Sequence, residues 1–161
     1  MISYYVLLIG AGGVGLAALS LARTMFDAAV IVADIDPSRL QAVREAGADQ
    51  VIDPTADGAA RRIREFTGGG AAAAVDFMGA AASAAFGLGV VGAGGTLVVV
   101  GLFGWILPVR LPLLPLRQLT VRGSFVDSLA EMTTLIDLVQ NGRQLRFRAG
   151  PAAGRGSGRP Q

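Results

Sequence analysis

Four glycines in six residues, Gly10-Ala11-Gly12-Gly13-Val14-Gly15, follow directly on the apolar run Tyr4-Tyr5-Val6-Leu7-Leu8-Ile9. Residues 4–9 read as a strand and residues 14–26 as a helix. A chain that leaves a strand and enters a helix this quickly has few geometries open to it. Gly10 permits a sharp turn where a side chain would clash. Gly12 leaves the main chain open to close approach, and Gly15 lets the helix settle on the sheet. The helix start, near Gly13 and Val14, offers free N–H groups and partial positive charge to an anion. The next apolar run, residues 29–34, ends on Asp34, nineteen residues after Gly15. Strand, glycine turn, helix and a second strand closing on a carboxylate form a dinucleotide-binding unit. The pyrophosphate sits on the turn, and Asp34 accepts from the two adenosine ribose hydroxyls. A 2′-phosphate would be repelled there, so the expected cofactor is NAD rather than NADP.

The competing reading is a membrane span, because residues 1–22 and 77–109 carry no charge. The first stretch is broken by four glycines and lacks a basic start, which argues against a signal peptide or a spanning helix. The second contains Gly87, Gly89, Gly92, Gly94 and Gly95 and splits into helix, turn and strand. Strands of a parallel sheet are buried on both faces and read as continuous apolar runs. No membrane association is expected.

With 161 residues the chain makes one domain with a sizeable core. It has no cysteine and no histidine, which excludes disulfides, Cys/His metal sites and histidine acid–base chemistry within these residues. The missing cysteine fits a cytoplasmic protein. All 14 basic residues are arginine. The net charge of +2 misleads, because five arginines follow the last acid, Asp137, while residues 1–142 carry a net charge of −3. Nucleic-acid binding therefore has no support over the folded part.

Strands and helices alternate along the chain. Strands are expected at 4–9, 29–34, 50–52, 73–78, 96–100 and 119–123. Helices are expected at 14–26, 36–46, 58–67, 81–91 and 129–140, with a Pro-rich loop at 104–118. Six strands with helical crossovers imply an α/β fold: a doubly wound parallel sheet of order 3-2-1-4-5-6, helices on both faces and the ligand across the carboxyl ends. Residues 1–142 make up this domain. Residues 143–161, rich in Gly, Arg and Pro, read as a disordered tail.

Other candidates keep two readings each. Arg39 flanks the ribose or is a solvated helix arginine. Phe77 and Met78 end the fourth strand and wall the adenine or pack in the core. Asp76 is a strand-end carboxylate beside a ribose or a buried, hydrogen-bonded structural group. Gly101, between Val100 and Leu102, ends the fifth strand, where a missing side chain lets a nicotinamide ring lie close.

These motifs, in this order, resemble the cofactor-binding domain of the medium-chain dehydrogenases, the zinc-type alcohol dehydrogenases. The resemblance rests on residues 6–15, Val32-Ala33-Asp34-Ile35-Asp36, Ala46-Gly47-Ala48-Asp49-Gln50-Val51-Ile52, Val75-Asp76-Phe77-Met78-Gly79, residues 94–101 and Leu119-Thr120-Val121-Arg122-Gly123-Ser124. It implies that Gly13 and Val14 touch the pyrophosphate, Asp34 and Arg39 the adenosine ribose, and Phe77 and Met78 the adenine side. Val100, Gly101, Leu102, Phe125 and Val126 would border the nicotinamide. It also implies hydride transfer between an alcohol or carbonyl and a nicotinamide cofactor, with zinc held by Cys, His and acidic ligands in a preceding domain.

The chain departs from that pattern in two places. It begins at the first strand of the sheet, so no zinc is expected to be bound here. After Asn141-Gly142 an apolar strand and helix are replaced by an Arg/Gly/Pro-rich end. A truncation with a shifted frame and an isolated domain both fit. The expectation is a domain that binds NAD and turns nothing over by itself. The apolar loop 105–117 is too greasy for solvent, and the resemblance implies a homodimer through residues 105–123.

Two other classes stay in view, a non-catalytic NAD-sensing module and a zinc-independent quinone reductase relative. A short-chain reductase is disfavoured: it needs a Tyr-x-x-x-Lys pair, and this chain has no lysine.

Overall fold

The computed structural model describes residues 4–107, 109–125 and 129–140. In chain order its elements are β1 (Tyr5–Ile9), α1 (Gly13–Met25), β2 (Ala29–Ala33), α2 (Pro37–Glu45), β3 (Gln50–Ile52) and α3 (Ala59–Thr67). They continue with β4 (Ala71–Asp76), α4 (Ala81–Val90), β5 (Val91–Val99), α5 (Leu113–Arg117), β6 (Thr120–Gly123) and α6 (Leu129–Gln140). Every strand pair is parallel and the order is β3-β2-β1-β4-β5-β6, as the alternation of elements predicts.

The continuous apolar runs have a simple cause. Successive side chains of a strand point to opposite faces, and here both faces are covered. Leu7, Ile9, Ile31 and Ala33 join Ile63 of α3 and Ala84 and Leu88 of α4 in one core. Leu8, Val30 and Val32 join Leu19 and Ala22 of α1 and Val43 of α2 in the other. Fully burying such aliphatic side chains contributes about 1.5–3 kcal/mol each.

Polar residues at the element ends fix the register. Asp36 caps α2 through Ser38 N–H at 2.8 Å, with Pro37 at the first helical position. Gly47, with φ of +99°, ends α2. The Asp49 carboxylate then accepts from Val30 N–H at 2.7 Å and from Arg23 at 2.9 Å, so it ties the start of β2 to the last turns of α1.

Three elements differ from the sequence reading. β4 stops at Asp76, so Phe77 and Met78 lie in the turn beyond it rather than at the strand's end. β5 starts at Val91, not at residue 96, and residues 92–95 form an irregularity within it: Ala71 pairs Val91 and Ala73 pairs Thr96. Glycine makes this possible, since a Cβ on Gly70 would lie 2.5 Å from the Gly92 nitrogen. A short helix, α5, interrupts the loop read as irregular, and Gln118 ends it in the left-handed region at φ of 52°. The tail expectation for residues 143–161 falls outside the described residues.

Candidate cofactor site

The glycine turn leaves β1 at Gly10, whose φ is +99° and whose N–H donates to Ala33 C=O at 2.8 Å. The four glycines do different jobs. A Cβ on Gly15 would lie 1.9 Å from the Gly10 carbonyl oxygen, so α1 approaches β1 backbone to backbone. A Cβ on Gly10 would press Met78 Cγ at 3.3 Å. Gly12 and Gly13, by contrast, face open space, with nothing within 4 Å of a Cβ at either position. Gly10 and Gly15 are thus glycines because of this chain's own packing. Gly12 and Gly13 leave an open cradle that side chains would fill. Gly12 is also the helix N-cap and offers no capping side chain. The first main-chain bond of α1 runs from Leu16 N–H to Gly12 C=O, leaving the amides of Gly13, Val14 and Gly15 without a helical acceptor. The cradle fits an oxyanion group such as a pyrophosphate.

Asp34 is the first residue after β2 and is 5% exposed. Its Oδ2 accepts from Ala11 N–H at 2.7 Å, inside the glycine turn, and its Oδ1 accepts from Asp36 N–H at 2.9 Å. The acid and the turn are therefore held as one piece, which the sequence spacing does not show. Arg39 sits between two acids, 3.8 Å from the Asp34 carboxylate and 3.6 Å from that of Asp36. The corner holds two carboxylates against one guanidinium. Ser38, through its hydroxyl and its N–H, holds the Asp36 carboxyl below the usual carboxylate range.

Phe77 packs against the core beneath α1. Met78 is exposed and lies beside Gly10. Gly101 is held to glycine by the chain's own packing. A Cβ there would lie 2.1 Å from the carbonyl carbon of Met78, so the loop after β4 occupies that space. Val100 is held by its N–H to Asp76 C=O at 2.9 Å, and Leu102 projects into solvent. Ser124 N–H donates to Val99 C=O at 2.9 Å, which places the exposed Phe125 beside the end of β5. Val126 lies outside the described residues. Gly10–Gly15, Asp34, Arg39, Met78, Gly101, Leu102 and Phe125 thus line the carboxyl edge of the sheet. Ile35, exposed between the two acids, belongs to the same rim.

A cleft of about 260 Å³ opens elsewhere, between β3 and α3, lined by residues that include Gln50, Asp53, Arg62, Ile63 and Phe66. Its charged groups are engaged within the chain: Asp53 accepts from Thr55, and Arg62 donates to Asp57 C=O.

Sheet order, glycine turn and strand-end acid define a doubly wound α/β domain of the dinucleotide-binding class. The profile of the zinc-binding dehydrogenases matches residues 13–141, and the chain belongs to that family. It is 32% identical over 137 residues to an NAD-dependent alcohol dehydrogenase of Sulfurisphaera tokodaii, covering 84% of this chain and 40% of that protein. It is 33% identical over 123 residues to the sorbitol dehydrogenase of Mus musculus, covering 74% of this chain and 34% of that one. Among solved structures, the alcohol dehydrogenase of Aeropyrum pernix superposes with a TM-score of 0.82 at 30% identity, covering 88% of this chain and 41% of that one. The chain therefore spans 34–41% of the length of these relatives.

Proposed function

We propose that this chain is the NAD(H)-binding part of a zinc-type alcohol dehydrogenase-like oxidoreductase, serving hydride transfer between an alcohol or carbonyl and the nicotinamide. The observation that carries the reading is the buried Asp34 carboxylate beside the open Gly12–Gly13 cradle. Each carboxylate oxygen spends one lone-pair direction on a backbone N–H and keeps another for a ribose hydroxyl. A 2′-phosphate would bring further negative charge to a corner where two acids already outnumber Arg39. NAD is therefore preferred over NADP, which also weighs against an NADP-linked quinone reductase.

In this reading Gly13 and Val14 hold the pyrophosphate, and Asp34 and Arg39 the adenosine ribose. Met78, with Phe77 behind it, lines the adenine side. Val100, Gly101, Leu102, Phe125 and Val126 border the nicotinamide. The bound nicotinamide supplies the hydride chemistry; the residues of this chain bind and orient it. Lacking both thiolate and imidazole donors, the chain holds no catalytic zinc and turns over no alcohol alone. Its proposed location is the cytoplasm. No helix among the described residues is long and apolar enough to cross a membrane.

Titration of the chain with NADH and NADPH, read by calorimetry and by quenching of the fully exposed Trp105, tests this. NADH is expected to bind at least about tenfold tighter than NADPH, a difference of about 1.4 kcal/mol. Equal binding of the two removes the assignment of Asp34, and measurable alcohol oxidation removes that of catalytic incompetence.

A homodimer through residues 105–123 belongs to the same proposal. β6 is the outer strand of the sheet and all four of its residues are exposed, as are Trp105, Ile106, Leu111 and Leu116 nearby. An unpaired edge beside apolar surface is a template for pairing with a second copy. Light scattering on the eluting protein should give twice the chain mass, and Val121→Lys should give a monomer. A monomeric parent chain at tens of micromolar refutes the dimer.

A further inference from the structure

Asp76 is completely buried, and no cation pairs with it among the described residues. A carboxylate in such a place must be satisfied by donors, and its donors come from the two loops at the centre of the proposed site. Oδ1 accepts from Met78 N–H at 2.9 Å and Gly79 N–H at 3.0 Å. Oδ2 accepts from the Ser83 hydroxyl at 2.8 Å, and Ser83 Oγ accepts in turn from Ala80 N–H at 3.0 Å. The Asp76 carbonyl accepts from Val100 and Gly101 N–H at 2.9 and 3.1 Å. The loops are then laced to each other: Phe103 N–H donates to Met78 C=O at 3.3 Å and Gly104 N–H to Gly79 C=O at 2.7 Å. On the other side, Met78 lies against Gly10 of the glycine turn.

We propose that Asp76 and Ser83 form a positioning pair: the carboxylate, oriented by the hydroxyl, keys residues 77–79, on the adenine side, to residues 100–104, at the nicotinamide, and so sets the geometry that receives the cofactor. Neither side chain faces the cradle; both act through the backbone they hold. The proposal rests on the NAD(H) reading above. It extends that reading to two residues which sequence analysis left between roles or passed over.

Ser83→Ala tests the pair: Ser83 is only partly buried, and the substitution removes the one hydroxyl donor to Asp76 while its two backbone donors remain. The comparison variant is Thr67→Ala, which removes a hydroxyl that bonds Ile63 C=O and Gly70 N–H at the far end of α3. Ser83→Ala should weaken NADH about fivefold, the scale of one lost hydrogen bond, and AMP by less, because residues 100–104 meet only the nicotinamide half. Ser83→Thr should restore NADH binding, and Thr67→Ala should leave both ligands unchanged. Hydrogen exchange adds a readout independent of ligand: the Met78, Gly79 and Gly104 amides should exchange faster together in Ser83→Ala alone. If Ser83→Ala and Thr67→Ala behave alike, the positioning role falls while the cofactor reading stands. If the parent chain binds neither NADH nor AMP, the cofactor reading itself falls and takes the proposal with it.

Discussion

Gly15→Ala is expected to cost about 3 kcal/mol or more of folding stability, the range of a backbone or overpacking clash in a fixed core. It is also expected to abolish NADH binding. The added Cβ would sit 1.9 Å from the Gly10 carbonyl oxygen and 3.0 Å from its carbon. Neither side can yield cheaply. Gly10 is bonded to Ala33 at the end of β2, and α1 is anchored by Leu19, which is fully buried. Lifting the helix start off the sheet would open the core over Leu8 and Val32 and would move the free amides of Gly13 and Val14. Against a total stability of about 5–15 kcal/mol, typical of domains this size, the loss is large. Urea denaturation measures it directly. Gly12→Ala is the counterpart, since open space surrounds that position. It should stay within about 1 kcal/mol of the parent, as substitutions away from packed features do, yet lose NADH because a methyl group stands in the cradle. If Gly15→Ala were as stable as Gly12→Ala, the close approach of α1 to β1 would be wrong.

Asp34→Asn should weaken NADH by about 30-fold or more, as expected when a charged hydrogen-bonding group is lost at a buried site. The discrimination against NADPH should collapse to within about threefold, because the negative corner is neutralised and Arg39 loses its buried partner. The same variant should also lose about 1–3 kcal/mol of stability, the cost of a buried donor left without an acceptor. Both Asp34 oxygens accept backbone N–H groups, and an amide offers only one oxygen. Paired calorimetric titrations and urea melts separate the two effects. An unchanged NADH-to-NADPH ratio would mean that Asp34 only braces the glycine turn and does not read the ribose.

Much of the fold was legible because its signals are local. The continuous apolar strands, the Asp36-Pro37 helix start and the glycine stops after α2 and α3 each depend on a few neighbouring residues. Their positions agree closely with the structure. Where the reading slipped, the deciding contact came from another element. β5 begins at Val91 because β4 offers it a partner there, and the glycines at 92–95 bulge against that partner instead of forming a turn. Residues 77 and 78 leave the strand because Asp76 turns its carboxylate back on the amides of Met78 and Gly79. No local pattern announces a short helix at Leu113–Arg117 in so Pro-rich a segment.

The candidate site divides along the same line. Sequence alone determined the strand, glycine turn, helix and acid, the spacing from Gly15 to Asp34, and the absence of any cysteine or histidine. These are facts of composition and order, and they set the class of ligand and exclude the Cys/His chemistry. Tertiary structure decided why each glycine is a glycine. Gly10, Gly15 and Gly101 serve the chain's own close contacts, and Gly12 and Gly13 leave space. It also joined Asp34 to Ala11, twenty-three residues apart, and Asp76 to two loops at once. The physical reason is that a buried carboxylate takes whatever donors the packed elements bring to it, and which ones arrive is settled only when the sheet is assembled.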